Sequence, residues 1–326
     1  HRMMGRFVGV VFGGGWAYFT WIHRPTPPSS LSPATSLLST LPKNITSAIP
    51  PGYQPRLALL FAMGGTQGLV GWWMVRSGLG DNRRGDRQEI RVSPYRLAAH
   101  LGMAVATYSA LLWTGLGVLS YPSDRYAAAA GLVKGGAARA PTLSLMQQYA
   151  KNLSCEALQH AKTIRVGVLS AVGLTGLTIL SGAFVAGNDA GNAYNTYPLM
   201  DGQLVPWDDM VDPDKLPKWR NLFETTATVQ FNHRALGTAT ALTAAGVAGY
   251  GLLSGPTSNG ALSSTTPQVR RGLAVLGAAA AAQMSLGVAT LLNYVPIHLA
   301  AGHQLGSLVV LTCGVYTTHS LRYAGR

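Results

Sequence analysis

Four of the eight histidines stand in two copies of one pattern. In the first copy, His1-Arg2-Met3-Met4-Gly5 is followed by Gln67-Gly68-Leu69-Val70-Gly71 and then by Ala98-Ala99-His100-Leu101-Gly102. In the second, His233-Arg234-Ala235-Leu236-Gly237 is followed by Gln283-Met284-Ser285-Leu286-Gly287 and Ala300-Ala301-Gly302-His303. HRxxG, QxxxG and AA(x)H therefore recur in the same order. Each copy supplies two imidazoles on separate apolar segments, the donor set of an axially bis-ligated haem iron. Other uses of such residues exist. A single histidine in an apolar helix commonly packs through a hydrogen bond or passes protons. Zinc wants three or four converging ligands, often with cysteines or carboxylates, and the apolar segments here carry no acid. Pairing and duplication favour haem over both.

The segments that must hold these imidazoles are apolar and long. Only 11% of the 326 residues are charged and 48% are hydrophobic, whereas about a quarter of an ordinary soluble chain is charged. Stretches without Asp, Glu, Lys or Arg cover 7–23, 57–75, 97–123, 166–188, 235–269 and 272–321, the last broken by Asn293-Tyr294-Val295-Pro296. A membrane span needs about 20 apolar residues. Seven helices follow, near 1–22, 57–79, 95–120, 165–187, 228–253, 270–292 and 299–320. Gly173, Gly176, Gly246, Gly249 and the Ala278–Ala282 run supply the small residues that close helix packing in lipid requires. A soluble helical protein would carry charged stripes on these segments, and none is present. The fold class expected is all-α and polytopic.

Charge placement orients the helices. Segments 24–56, 121–165, 254–271 and 321–326 carry 13 Lys or Arg against Asp124 and Glu156, while 76–96, 188–227 and 293–298 carry 9 against 10 acids. Positive charge accumulates on the side from which helices insert, so the first set faces the cytoplasm or matrix. The formal net charge of +13 is then mostly a topology signal. Nucleic acid is not an expected partner, because the charges are scattered over loops rather than gathered with aromatics on one face. With this orientation His1, His100, His233 and His303 all lie near the outer ends of their helices; His100, five residues in, is about 8 Å deep. Polar groups at that depth face a bundle interior.

Arg2 and Arg234 each follow a candidate ligand, and Arg96 precedes His100 by one turn. Guanidinium groups pair bidentately with carboxylates, so these three are candidates for haem propionates, the other reading being arginines that snorkel to the interface. His23, His160, His298 and His319 are read as a helix exit, an inner loop, a turn and the inner end of the last helix. Segment 24–56, rich in Pro, Ser and Thr, is read as an inner-side insertion. Segment 121–164 closes with an amphipathic stretch around Leu143–Leu158. Segment 188–224 mixes turn formers with aromatics and lies on the side of the four histidines, where it is either a lid or an acidic connector. Cys155 and Cys313 form no bridge, and without CxxCH no covalent haem is expected. Gly13-Gly14-Gly15 lacks the strand a dinucleotide site requires.

Longer motifs carry a resemblance. His1-Arg2-Met3-Met4-Gly5-Arg6, Gly71-Trp72-Trp73-Met74-Val75-Arg76-Ser77-Gly78-Leu79 and Arg91 to Gly102 lie in the first half. Ser181-Gly182-Ala183-Phe184-Val185-Ala186-Gly187, Val229-Gln230-Phe231-Asn232-His233-Arg234 and Leu299-Ala300-Ala301-Gly302-His303-Gln304 lie in the second. Together they resemble the haem A synthases of the mitochondrial and alphaproteobacterial type, the Cox15/CtaA family. The resemblance implies two similar four-helix halves, and oxidation of one ring methyl of haem O to a formyl group by successive two-electron steps, giving haem A for cytochrome c oxidase. It implies that His1 and His100 flank the substrate haem and that His233 and His303 ligate a haem b, all four serving as iron ligands. It also implies a ferredoxin-type electron partner, with haem O synthase or oxidase assembly factors as further partners and a homo-oligomer as an open possibility. The mitochondrial inner membrane is the expected location, a bacterial plasma membrane the alternative.

Two departures accompany the likeness. The family's first helix and the glutamate three residues before its HR motif have no counterpart before His1, so the expectation is two pseudo-symmetric four-helix bundles with the first helix missing, in a truncated chain or an incomplete gene model impaired in folding and catalysis. The cysteine pairs of some bacterial members are also missing. The domains expected are 1–120 for the substrate haem, 121–164 as an inner linker and 165–326 for haem b. Competing readings are a dihaem b-type cytochrome that only relays electrons, and a haem-free transporter or assembly factor using its histidines for protons.

Overall fold

The computed structural model describes residues 2–22, 52–79, 92–119, 152–254 and 264–325. His1, the Arg2 side chain, His23 and most of segments 24–56 and 121–164 lie outside the described residues. Among the described residues there are seven long helices: α1 (Arg2–Ala17, continued by a π-type turn Tyr18–Ile22), α2 (Gln54–Leu79), α3 (Pro94–Leu119), α4 (Cys155–Gly187), α5 (Thr226–Leu253), α6 (Pro267–Leu292) and α7 (Ile297–Ser320). Six of them, α2 to α7, are long and apolar enough to cross a membrane, so the all-α polytopic reading is borne out. The α-helical part of α1 has 16 residues and falls short of that length.

α4 departs from expectation. It begins at Cys155, eleven residues before the charge-free stretch, capped by Ser154, whose Oγ accepts from Ala157 N at 3.1 Å. Lipid compatibility marks where a span can sit, but a helix continues into water wherever a cap and an apolar stripe support it. His160 is therefore not in a loop. It is buried in α4, its Nδ1 2.8 Å from Ser264 Oγ and its ring 4.8 Å from that of Tyr250.

The chain forms two compact units, residues 1–69 with 110–145, and residues 70–109 with 146–326. In the first, Phe12 stacks on Phe61 at 6.3 Å, and Trp16 Nε1 donates to Gln54 Oε1 at 2.9 Å. Gly13 lets the Phe61 ring approach α1, since a Cβ there would lie 3.0 Å from it.

In the second unit, α4 packs on α5, α5 on α6, α6 on α7 and α7 back on α4, a closed four-helix bundle. Glycines set the close approaches. A Cβ on Gly251 of α5 would meet Leu273 of α6 at 2.5 Å, and one on Gly314 of α7 would meet Val172 of α4 at 2.6 Å. Such contacts substitute in lipid for the hydrophobic drive that holds helices together in water. Thr266 caps α6 with Pro267 at its first turn, where a missing N–H costs nothing. The turn from α6 to α7 is closed by Tyr294 N to Leu291 O and Val295 N to Thr290 O, at 3.1 and 2.9 Å.

The dry core lies towards one end of this bundle. Ile164 and Val168 of α4, Ala244 of α5, Val269, Leu273 and Leu276 of α6, and Leu321 beyond α7 are fully buried there. Towards the other end burial is sparse. From 231 to 243 only Thr240 is fully buried, and from 297 to 309 no residue is.

At that second end the start of α3 rests on α4. Pro94 packs where a Cβ on Gly187 would lie 2.8 Å away, and the Tyr95 ring meets Phe184 edge-on at 5.6 Å. Tyr95 OH donates to Glu224 Oε1 at 2.8 Å, and Arg220 Nε donates to the same oxygen at 2.8 Å. Burial works to raise the Glu224 carboxyl, but the hydrogen bonds from Arg220 and Tyr95, with the Arg220 and Lys215 charges, hold it below its ordinary value. A depressed carboxyl stabilises the fold above its unfolded pKa, about 4.3, and that contribution is lost as pH falls through the lower folded value. Glu224→Gln should abolish this acid-dependent loosening and speed amide exchange at 219–226 near neutrality, read by hydrogen exchange across a pH series.

Candidate haem-binding site

Three of the four candidate ligands are described, on α3 (His100), α5 (His233) and α7 (His303). α5 and α7 run in the same direction, and the structure brings His233 and His303 together with ring centres 6.3 Å apart and planes at 83°. One metal ion bridging two imidazoles needs about 2 Å to each nitrogen; with about 1.1 Å from each nitrogen to its ring centre, the centres stand about 6 Å apart. The observed pair meets that requirement. Both rings are half-buried, in the part of the bundle where the inward side chains leave the core loosely filled, the setting a flat macrocycle between helices needs.

Each imidazole is seated by a glycine on another helix. A Cβ on Gly287 of α6 would lie 2.7 Å from His303 Cε1, and one on Gly182 of α4 would lie 3.2 Å from His233 Cε1. The first copy repeats the seat: a Cβ on Gly71 of α2 would lie 2.8 Å from His100 Cε1. The G of QxxxG thus has a physical meaning in both copies, because any larger side chain would occupy the place of the ring. The Q acts one turn earlier in the second copy. Gln283 Nε2 lies 3.0 Å from His303 Nδ1 and donates to His303 O at 2.8 Å, while its Oε1 is buried without a hydrogen-bond partner. Ser181 Oγ lies 2.7 Å from His233 Nδ1. Both Nδ1 atoms are thus engaged. Ser181 is a residue that sequence reasoning passed over as part of a motif.

The arginines have their own partners. Arg96 Nη1 donates to Trp73 O at 2.9 Å and its guanidinium lies 4.6 Å over the Trp73 ring, tying the start of α3 to α2. Arg234 donates through Nη2 to Tyr194 O at 2.8 Å and Gln230 Oε1 at 3.0 Å, and through Nη1 to Leu199 O at 3.3 Å. Gln230 Nε2 donates to Ala190 O at 2.8 Å, and Asn195 Nδ2 reaches Leu291 O of α6 at 3.0 Å. Segment 188–225 is thereby strapped across the ends of α5 and α6. Within it, burial, the hydrogen bond to Asp209 and the charges of Asp209 and Asp201 push the Tyr194 phenol up to about 12, so it stays protonated as a donor. His298 is exposed at the start of α7, and His319 is buried in its last turn against Arg322. Among the described residues no group of three His, Cys, Asp or Glu converges on a metal position.

The profile of a family described as "Cytochrome oxidase assembly protein", COX15-CtaA, matches residues 1–315. The chain is 36% identical over 323 residues to "Heme A synthase COX15" of Arabidopsis thaliana, covering 99% of this chain and 56% of that protein. It is 37% identical over 322 residues to "Heme A synthase" of Rhodospirillum centenum, covering 99% and 66%. It is 34% identical over 324 residues to a "Heme A synthase-mitochondrial ferredoxin fusion protein" of Schizosaccharomyces pombe, covering 97% and 45%. The chain thus spans between about half and two thirds of the length of these relatives.

Gly287→Val should displace the His303 ring and weaken haem retention by about tenfold or more while leaving the helical circular dichroism intact. Arg234→Ala should release the strap, seen as faster amide exchange at 190–199 with α4–α7 unchanged.

Proposed function

Because the chain belongs to the COX15-CtaA family of cytochrome oxidase assembly proteins, we propose that the protein is a haem A synthase. It oxidises a ring methyl of haem O to a formyl group, through the hydroxymethyl, and so supplies haem A for cytochrome c oxidase. The observation that carries this reading is the His233–His303 pair at 6.3 Å, together with the glycine-seated imidazole repeated at Gly71 and His100. Two sites of one design suit one resident haem and one substrate haem.

In this proposal His233 and His303 hold haem b, which when bound supplies one-electron transfer. His1 and His100 flank the substrate. The protein does no covalent chemistry of its own. Its helices orient the reacting ring, exclude bulk water and hold the imidazoles in place. Arg2 and Arg96 are proposed for the propionates. Arg234, whose Nη atoms hold loop carbonyls, has only its buried Nε left for that task. Electrons are exchanged with a ferredoxin-type partner, a reading supported by the fused ferredoxin named in the fission yeast relative. The multi-pass chain is proposed for the mitochondrial inner membrane, with a bacterial plasma membrane as the alternative.

The test is expression of the full-length protein with a haem O source, followed by chromatography of the extracted haems. Haem A or its hydroxymethyl precursor is expected, and both should vanish in His100→Ala. A protein that binds haem yet yields neither product would be a dihaem cytochrome that relays electrons. A protein with no haem spectrum at all would belong to the haem-free class.

A further inference from the structure

We propose that Ser181 is a positioning residue for His233, accepting a hydrogen bond from Nδ1–H and so reserving the Nε2 lone pair for the metal. This rests on the reading that His233 and His303 ligate one haem iron.

The assignment follows from counting protons. Ser181 Oγ lies 2.8 Å from Thr178 O and 2.7 Å from His233 Nδ1. The hydroxyl has one proton, and the carbonyl, which can only accept, claims it. What the hydroxyl turns towards Nδ1 is a lone pair, so Nδ1 must donate. A neutral imidazole carries a single N–H; with it spent on Nδ1, Nε2 is the free base. Thr178 is itself held, donating to Leu174 O at 2.8 Å and lying 2.9 Å from Thr240 Oγ1, so the acceptor at the end of this chain is set by the backbone of α4. Gly182, next in sequence, leaves the room that the Cε1 edge of the ring fills.

His303 has a different partner. Its Nδ1 faces the Gln283 amide, so the two axial rings are backed by unlike groups, a hydroxyl on one side and an amide on the other. The acceptor behind a ligating imidazole governs its basicity. A neutral hydroxyl draws on the Nδ1 proton weakly, whereas a carboxylate would pull it strongly and enrich the nitrogen facing the iron. Ser181 therefore acts on the ferric–ferrous balance of that haem as well as on ring orientation.

The experiment is potentiometric titration of the purified full-length protein, followed by haem absorbance, for the parent, Ser181→Ala, Ser181→Asp and Ser181→Thr. The haem in question is the one whose low-spin signal disappears in His303→Ala. Its midpoint should fall in the Asp variant, rise in the Ala variant and return to the parental value in the Thr variant, with haem retained about ten- to a hundredfold less well by Ala. Loss of the haem from Ala and Asp but not from Thr supports the same assignment. Equal midpoints in Ala and Asp, or loss of the haem from all three variants, overturns it. A parent protein whose spectrum is unchanged by His303→Ala defeats the haem reading instead, whatever Ser181 does.

Discussion

An imidazole can reach the axis of a four-helix bundle only where the neighbouring helix withholds a side chain. The rest of this structure is arranged around that constraint. His303 occupies the space that Gly287 leaves, and His233 the space beside Gly182. Interaxial distances in helix bundles are about 8–10 Å, so a ring pointing inwards has little room unless its counterpart is a hydrogen atom. With both rings so seated, their centres fall 6.3 Å apart. The separation is thus a product of backbone placement rather than of flexible side chains finding each other.

The same bundle divides its labour along its length. One end is dry and tightly interlocked, with Ile164, Leu273 and Leu276 buried and Gly251 and Gly272 taking the side chains of the facing helix. The other end holds the histidines and half-buried polar groups that would be costly in lipid but are satisfied by neighbours, as Thr178, Ser181 and Thr240 are by one another and by backbone carbonyls. A core packed to native density throughout would leave a ligand no place. Holding the helices together at one end allows the other to stay loosely filled.

The strap over that loosely filled end reassigns a residue. An arginine beside a candidate haem ligand invites pairing with a carboxylate, but Arg234 meets four backbone or side-chain oxygens of its own chain first. Carbonyls of an irregular segment near a membrane surface need donors, and a guanidinium with five N–H groups satisfies several of them at once. Asn188, Asn195 and Gln230 serve the same need. Segment 188–225 is accordingly built as part of the end of the bundle that carries the histidines.

Much of the fold was legible in the sequence because lipid leaves few choices. A span must satisfy its backbone internally, so a charge-free apolar run of adequate length reads as a helix; among the described residues all seven expected segments are helical and six are long and apolar enough to cross a membrane. The family likeness and the paired histidines were legible for a related reason: a duplicated motif repeats a local shape, here a ring against a glycine. Where the rule came from solvent rather than from folding it misled. Lys162 and Arg165 end the charge-free run, but α4 runs on to Cys155 because Ser154 caps it and Ala157, Ala161 and Ile164 continue its buried stripe. That cap and stripe were readable signals. No such signal announced that Ser181 would back His233, that Gln283 would back His303 or that Arg234 would hold a loop. Those partnerships join residues 20 to 52 positions apart and depend on how far each helix is rotated about its axis. Rotation is decided by which glycine receives which side chain, a property of the packed bundle that a single helix does not possess.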